Sequence, residues 1–146
     1  MSRFDSLVDV GFKALNRFHR SVDHVTHGRL GRRAFAMTVI DLYTVGRRTG
    51  TTHRTILTVP VIDDGRLVVV ASKGGDDRDP DWLRNLLAHP DVEVMIDGER
   101  RPFHAHVATP EETISLWPRV TAAYPGYARY QRRSQRDIPL VICDPR

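Results

Sequence analysis

The chain of 146 residues holds one cysteine, Cys143. A single thiol can neither close an internal disulfide nor build a cysteine-based metal cage, so a disulfide-stapled scaffold and a zinc ribbon are both excluded. Lysine is almost as scarce: Lys13 and Lys73 stand against twenty arginines, a skew in keeping with the codon usage of a GC-rich genome. The basic excess is therefore weak evidence by itself, and Lys73 says more than an average lysine. No run of about eighteen apolar residues is present to span a bilayer. The first twenty residues carry Asp5, Asp9, Lys13 and Arg17 where a signal peptide needs an unbroken apolar core. The expected address is the cytoplasm. Motifs are missing too. Without G-x-G-x-x-G after a strand, or G-x-x-x-x-G-K-[ST], neither a dinucleotide fold nor a P-loop is indicated. Without G-x-S-x-G or H-E-x-x-H there is no nucleophile elbow and no zinc-protease helix. His104 and His106 alternate onto one strand face, but no third ligand stands at a recognisable spacing, so no metal site is assigned.

What remains suits one compact domain, with 40% hydrophobic residues and a formal net charge of +4. That charge, with a pI near 9.7, admits nucleic acid, an anionic membrane surface or a polyanionic small molecule, and does not choose among them. Residues 3–20 place Phe4, Leu7, Val8, Gly11, Leu15 and Phe18 at helical spacing with charges opposite, an amphipathic helix. Residues 1–30 are read as that helix and a linker. Five runs rich in β-branched residues, at 39–45, 55–62, 67–72, 92–96 and 103–107, read as strands, and 138–143 as a closing strand. Asp63-Asp64-Gly65 and Asp97-Gly98 join their flanking runs at hairpin spacing, so those strands should pair antiparallel. Helices are expected at 81–88, with Pro80 at the first turn, and at 110–123, with Thr109 as cap and Glu111 and Glu112 suiting the dipole. The expected fold is α+β and mainly β, a small barrel of about six mostly antiparallel strands with short helices.

Four stretches carry candidate chemistry. Thr44-Val45-Gly46-Arg47-Arg48-Thr49-Gly50-Thr51-Thr52-His53-Arg54 sets two glycines around paired arginines between two strands. Glycine lets backbone N–H groups turn toward an anion, and Arg48 and Arg54 can fork onto phosphate oxygens. The residues alone leave a phosphate grip and an ordinary polar turn level. Next, Ser72-Lys73-Gly74-Gly75 places a hydroxyl, a cation and two flexible residues at a strand end, where binding loops commonly sit. Trp82, Asn85 and Leu86 follow on one helix face. Last, Tyr124, Tyr127 and Tyr130 recur every third residue around the Pro125-Gly126 break. They read as a pocket wall or a core stripe, with the wall favoured because each hydroxyl needs a partner.

Taken together, these residues resemble the deazaflavin-dependent nitroreductases of the split β-barrel flavin/deazaflavin oxidoreductase superfamily. The resemblance rests on L-Y-T-V-G-R-R-T-G at 42–50, V-V-V-A-S-K-G-G at 68–75, P-D-W-L-R-N-L at 80–86, H-P-D-V-E-V at 89–94 and W-P-R-V-T-A-A-Y-P-G-Y-A-R-Y at 117–130. The blocks stand in the family's order, and the first forty residues match poorly. The resemblance implies a deazaflavin-binding domain over residues 31–146. In it, Arg48, Thr49, Gly50, Arg54, Thr55, Ile56, Leu57, Thr58 and Val59 would hold the phosphate and tail of coenzyme F420, an 8-hydroxy-5-deazaflavin. Val70, Ala71, Ser72 and Lys73, with Asp81, Trp82, Leu83, Arg84 and Asn85, would hold the deazaflavin side. Tyr124, Tyr127, Tyr130 and Ser72 would close over ring and acceptor. Two departures bear on tail and acceptor preference: Val59 stands where some members have tyrosine, and Arg47-Arg48 where many read R-K.

The activity implied is hydride transfer from reduced F420 to an organic acceptor such as a quinone, a nitroaromatic or an activated enone. Such an enzyme needs orientation, exclusion of water and stabilisation of developing charge, with no covalent nucleophile. Ser72 and the tyrosine hydroxyls are the expected hydrogen-bond or proton donors. FMN in the same barrel and a non-catalytic F420 carrier are the alternatives. No nucleic-acid partner is expected. The N-terminal helix packs on the barrel or, as a smaller expectation, lies on the inner face of the membrane near a lipid-soluble quinone.

Overall fold

The computed structural model describes residues 33–34 and 37–146. The expected N-terminal helix lies outside the described residues. The strands are β1 (Arg33–Ala34), β2 (Met37–Val45), β3 (Thr52–Val59), β4 (Val61–Asp63), β5 (Arg66–Val70), β6 (Asp91–Ile96), β7 (Glu99–Val107) and β8 (Leu140–Pro145). The helices are α1 (Asp81–Ala88), α2 (Pro110–Ala123) and α3 (Gly126–Arg133), with a 3-10 turn at Lys73–Gly75.

All strand pairs are antiparallel, in the order β1-β2-β6-β7-β8-β5-β4, with β3 on β2. Among the described residues the fold is α+β and mainly β, a curled sheet with three helices. Its curl follows from connectivity. β3 and β4 pair at opposite ends of the sheet, yet one residue, Pro60, joins them, so those ends must approach. Pro60 also explains why the expected strand 55–62 is two strands: proline brings no ladder N–H. With the two-residue β1, this raises the count to eight against about six expected.

Both short hairpins form as their sequences demand. Asp64 and Gly65 (φ 51° and 79°) and Asp97 and Gly98 (φ 52° and 77°) are left-handed in pairs. That is the backbone of a type I′ turn, whose twist matches the strands it joins. At α2, Thr109 and Glu112 form a reciprocal capping box and Pro110 opens the helix. Pro80 caps α1 instead of entering its first turn.

β5 and β8 are buried on both faces. Leu67, Val69, Val141 and Cys143 point inward with Ile40, Leu42 and Val94, where Trp82, Leu83 and Leu86 of α1 seal the sheet. Val68, Val70, Leu140 and Ile142 point outward, beneath Val120 of α2 and Tyr127 of α3. The period-two alternation of strand side chains sends one run of apolar residues into two cores. Burial pushes the Cys143 thiol up to about 12, so it stays neutral and serves as filling. Among the described residues no helix is long and apolar enough to cross a membrane.

Candidate functional site

The β2–β3 hairpin and the start of α1 enclose a cleft of about 380 Å³. Its floor is built around glycine: a Cβ on Gly46 would lie 2.7 Å from His53 Nε2 and 2.8 Å from Thr49 Oγ1. Gly50, at φ 70°, donates its N–H to the Gly46 carbonyl at 2.8 Å, and the Gly46 N–H donates to Thr51 O at 2.7 Å. The small loop folds on itself and turns its side chains to the cleft. Thr49, Thr51 and His53 form a polar chain, with 2.7 Å between the two hydroxyls and 3.3 Å from Thr51 Oγ1 to His53 Nε2.

Arg47 latches the hairpin to the helix. Its backbone N–H and its Nη1 both donate to Asn85 Oδ1, at 3.2 and 2.9 Å, and Asn85 Nδ2 donates to Thr44 Oγ1 at 3.4 Å. Asn85 and Thr44 are buried, so this latch replaces the water those amide and hydroxyl groups give up. Arg48 and Arg54 also line the cleft. Arg54 is anchored by Asp41, whose side chain is 4% exposed and whose carboxylate lies 3.0 Å from Arg54 Nη2. Asp81 stands opposite, 3.5 Å from Arg47. Three guanidiniums against two carboxylates, Asp81 and the buried Asp41, leave a net positive site that favours an anion bearing oxygen acceptors.

The loop after β5 is a second polar feature. Lys73, Gly74 and Gly75 are left-handed in succession (φ 45°, 66° and 89°). A Cβ on Gly75 would meet the Tyr130 carbonyl at 3.1 Å, so this glycine lets α3 press on the loop. Ser72 is buried, and its carbonyl accepts from the Gly75 N–H at 2.9 Å.

The tyrosines cluster edge-to-face, with ring centroids 5.1 to 6.3 Å apart. The Tyr124 ring lies on Gly126, where a Cβ would come within 2.4 Å of it. The Tyr127 hydroxyl shares a 2.8 Å hydrogen bond with Thr58 Oγ1 and lies 3.8 Å from Met37 Sδ, with the residue 5% exposed. Burial pushes its hydroxyl up to about 12, against an opposing pull from the Thr58 bond. Burial, and then the Tyr124 hydroxyl 3.5 Å away, holds the half-buried Tyr130 well above the ordinary tyrosine range.

Of the residues picked from the sequence, Arg48, Thr49, Arg54, Thr55, Asp81, Trp82 and Asn85 come together at the cleft. Leu57, Val59, Ala71 and Leu83 are buried in the inner core, and Ile56 is buried on β3. Val70 is in the outer core, Thr58 meets Tyr127, and Arg84 faces Asp81 at 3.9 Å. Gly50, Ser72, Lys73 and the tyrosines do not line the cleft. Thr44, Gly46, Arg47 and His53 also line the cleft; sequence reading placed them in the candidate stretch 44–54 but gave them no contact of their own. The alternation that puts Leu42 inside also puts Thr44 there, but nothing in the chain announces the Arg47–Asn85 latch. The two strand histidines face acids, His104 meeting Asp91 at 3.0 Å and His106 lying between Glu112 and Asp144.

A curled antiparallel sheet carrying a cationic, hydroxyl-rich cleft is an arrangement suited to an anionic organic molecule. The profile of the F420H(2)-dependent quinone reductases matches residues 15–145. An F420H(2)-dependent quinone reductase of Mycobacterium tuberculosis is 37% identical over 137 residues, 91% of each chain. A second protein of that organism, described as a putative F420H(2)-dependent quinone reductase, is 40% identical over 86 residues, 59% of this chain and 72% of its own. The solved structure of an F420-H2 dependent reductase, FDR-A, superposes with a TM-score of 0.66 at 34% identity, covering 73% of this chain and 93% of that one. The chain belongs to the F420H(2)-dependent quinone reductase family.

Proposed function

We propose that this split-barrel domain binds coenzyme F420 with its phosphate in the cleft and delivers a hydride to a quinone. The observation that carries the reading is the donor set at the cleft, in a chain of this family: Arg48, Arg54 and Arg47 with the hydroxyls of Thr49 and Thr55. A phosphate-bearing anionic tail asks for such a set, and glycine at 46 lets the Thr49 and His53 side chains pack close against the hairpin backbone. Bound reduced coenzyme supplies the hydride, so the chain's own residues have only to bind, orient and exclude water.

Arg48 and Arg54 hold the anion. Lys73 adds a cation from the loop after β5, and Trp82 and Asn85 fix the cofactor's side of α1. Tyr124 and Tyr130 wall the acceptor. Their hydroxyls, with that of Ser72, stabilise the charge that develops on a quinone oxygen. Because Tyr130 holds its proton so firmly, it acts by donating a hydrogen bond. Tyr127, bound to Thr58, is the post on which the other two rings lean.

The test is to incubate the protein with reduced F420 and a panel of quinones, nitroaromatics and enones, following the return of oxidised coenzyme absorbance. Turnover with quinones is expected. Tight coenzyme binding without turnover on any acceptor would make the protein a carrier, and purification as a yellow FMN protein would replace the coenzyme. A lipid-soluble quinone also gives the basic amphipathic stretch 3–20 a use at the inner membrane face. Co-sedimentation with anionic vesicles at low salt, lost on removing residues 1–20, checks that placement.

A further inference from the structure

The segment between α3 and β8 belongs to no motif, yet it grips the loop that follows β5. Arg136 is its centre, with a side chain only 16% exposed. Nη2 donates to the carbonyls of Ala71 at 2.8 Å and Ser72 at 3.3 Å, Nε donates to that of Asp76 at 3.1 Å, and Nη1 faces the Asp79 carboxylate at 3.2 Å. Carbonyls from both ends of the Lys73–Gly75 turn thus converge on one guanidinium. The turn needs a clamp, because Lys73 sits at φ 45°, where a residue with a Cβ is strained. Two neighbours reinforce it: the Gln135 N–H donates to Asp77 at 2.6 Å, and Ser134 Oγ donates to the Asp76 carbonyl at 3.4 Å. Gln131 of α3 donates to the Arg136 carbonyl at 2.8 Å, which ties the clamp to the tyrosine helix.

We propose that Arg136 is a positioning residue: it fixes Ser72 and Lys73 in the geometry that receives the coenzyme and couples their placement to α3. This rests on the function proposed above only in taking Ser72 and Lys73 as coenzyme contacts. A planar fork of five donors satisfies acceptors on two sides at once, whereas lysine brings a point charge with three donors on one atom.

Arg136→Lys, Asp79→Asn and a destabilised control, Val92→Ala in the inner core, separate positioning from general weakening. Amide hydrogen exchange across residues 72–79, measured without coenzyme, reads the clamp, and titration with F420 reads its consequence. Arg136→Lys is expected to speed that exchange and to weaken coenzyme binding about tenfold, the scale of one charge-assisted hydrogen bond. Asp79→Asn, a milder lesion that keeps the guanidinium, moves both readouts the same way by less. Val92→Ala lowers the melting temperature and leaves the coenzyme dissociation constant unchanged. Unchanged exchange in Arg136→Lys would overturn the clamp, and faster exchange with wild-type affinity would overturn the positioning role. Failure of the wild-type protein to bind F420 would sink the function proposed above, while the exchange measurement still decides the clamp.

Discussion

The cleft at the β2–β3 hairpin and the tyrosine cluster at the junction of α2 and α3 are both made of polar residues, but they use their polar atoms in opposite ways. At the cleft, Arg48, Thr49 and His53 are exposed, so the polar capacity left over from the Thr49–Thr51–His53 chain faces solvent and any ligand that displaces it. In the cluster, Tyr127 is buried and its hydroxyl is committed to Thr58. One region is built to exchange partners, and the other has already chosen them. Polar composition alone therefore does not mark a binding site. What distinguishes the cleft is an inner layer of pinned groups, Asp41 and Asn85, that holds an outer layer of available ones.

The largest effect expected from breaking this arrangement is at Arg54, which belongs to both layers. Arg54→Ala removes a cleft cation and strips the buried Asp41 carboxylate of its guanidinium. Losing one partner of a buried pair typically costs ~3–5 kcal/mol. Since Arg54 is itself partly exposed, the loss should fall at or below the lower end of that range. Denaturant unfolding and coenzyme titration should both move. An Arg54→Ala variant of wild-type stability would show that the ion pair does not support the hairpin. Arg48→Ala should weaken coenzyme binding by about one to two decades, as for a lost charge-assisted hydrogen bond, with the melting temperature held. Equal affinity in that variant would remove the anion site from the cleft.

Tyr130→Phe sharpens the comparison from the other side. It keeps the ring against Tyr124 and Tyr127 and removes only the hydroxyl. Quinone turnover at saturating coenzyme should fall about tenfold, toward the lower end for a hydrogen bond to a developing charge, since the group is half buried and shared with Tyr124. Full turnover would return Tyr130 to the structural layer beside Tyr127.

Much of the fold was legible because local rules decided it. The Asp-Gly turns, the Thr109 cap and the bounds of α1 and α2 each follow from a few adjacent residues, while the return bond from Glu112 that completes the capping box was not read. The break at Pro60 was equally local, and the reading of 55–62 as one strand gave its β-branched run too much weight against one missing N–H. What sequence reading did not reach depends on pairs distant in the chain. Arg47 meets Asn85 across 38 positions, and Arg136 meets Ala71 across 65. In an arginine-rich chain neither stands out from its neighbours, so only the folded backbone distinguishes a latch from a solvated side chain.

The smallest expected effect is at Tyr127, and it tests the structural half of the comparison most directly. Tyr127→Phe preserves the ring packed between Tyr124 and Tyr130 and deletes the bond to Thr58, so stability at neutral pH should fall by ~1 kcal/mol, the net worth of an ordinary buried hydrogen bond. A second signature follows from the pKa. Burial raises the folded hydroxyl to about 12 from 10.0, so the unfolded chain gives up this proton first as pH rises. By linkage, the stability this group contributes is fully present below about pH 10 and is lost as pH climbs through about 12. The phenylalanine variant has no such proton, and its stability should decline less steeply over that window. Urea unfolding of wild type and variant from pH 8 to 11.5 checks both parts. Parallel alkaline limbs, or a fall in turnover with stability unchanged, would move Tyr127 out of the structural layer and into the pocket wall.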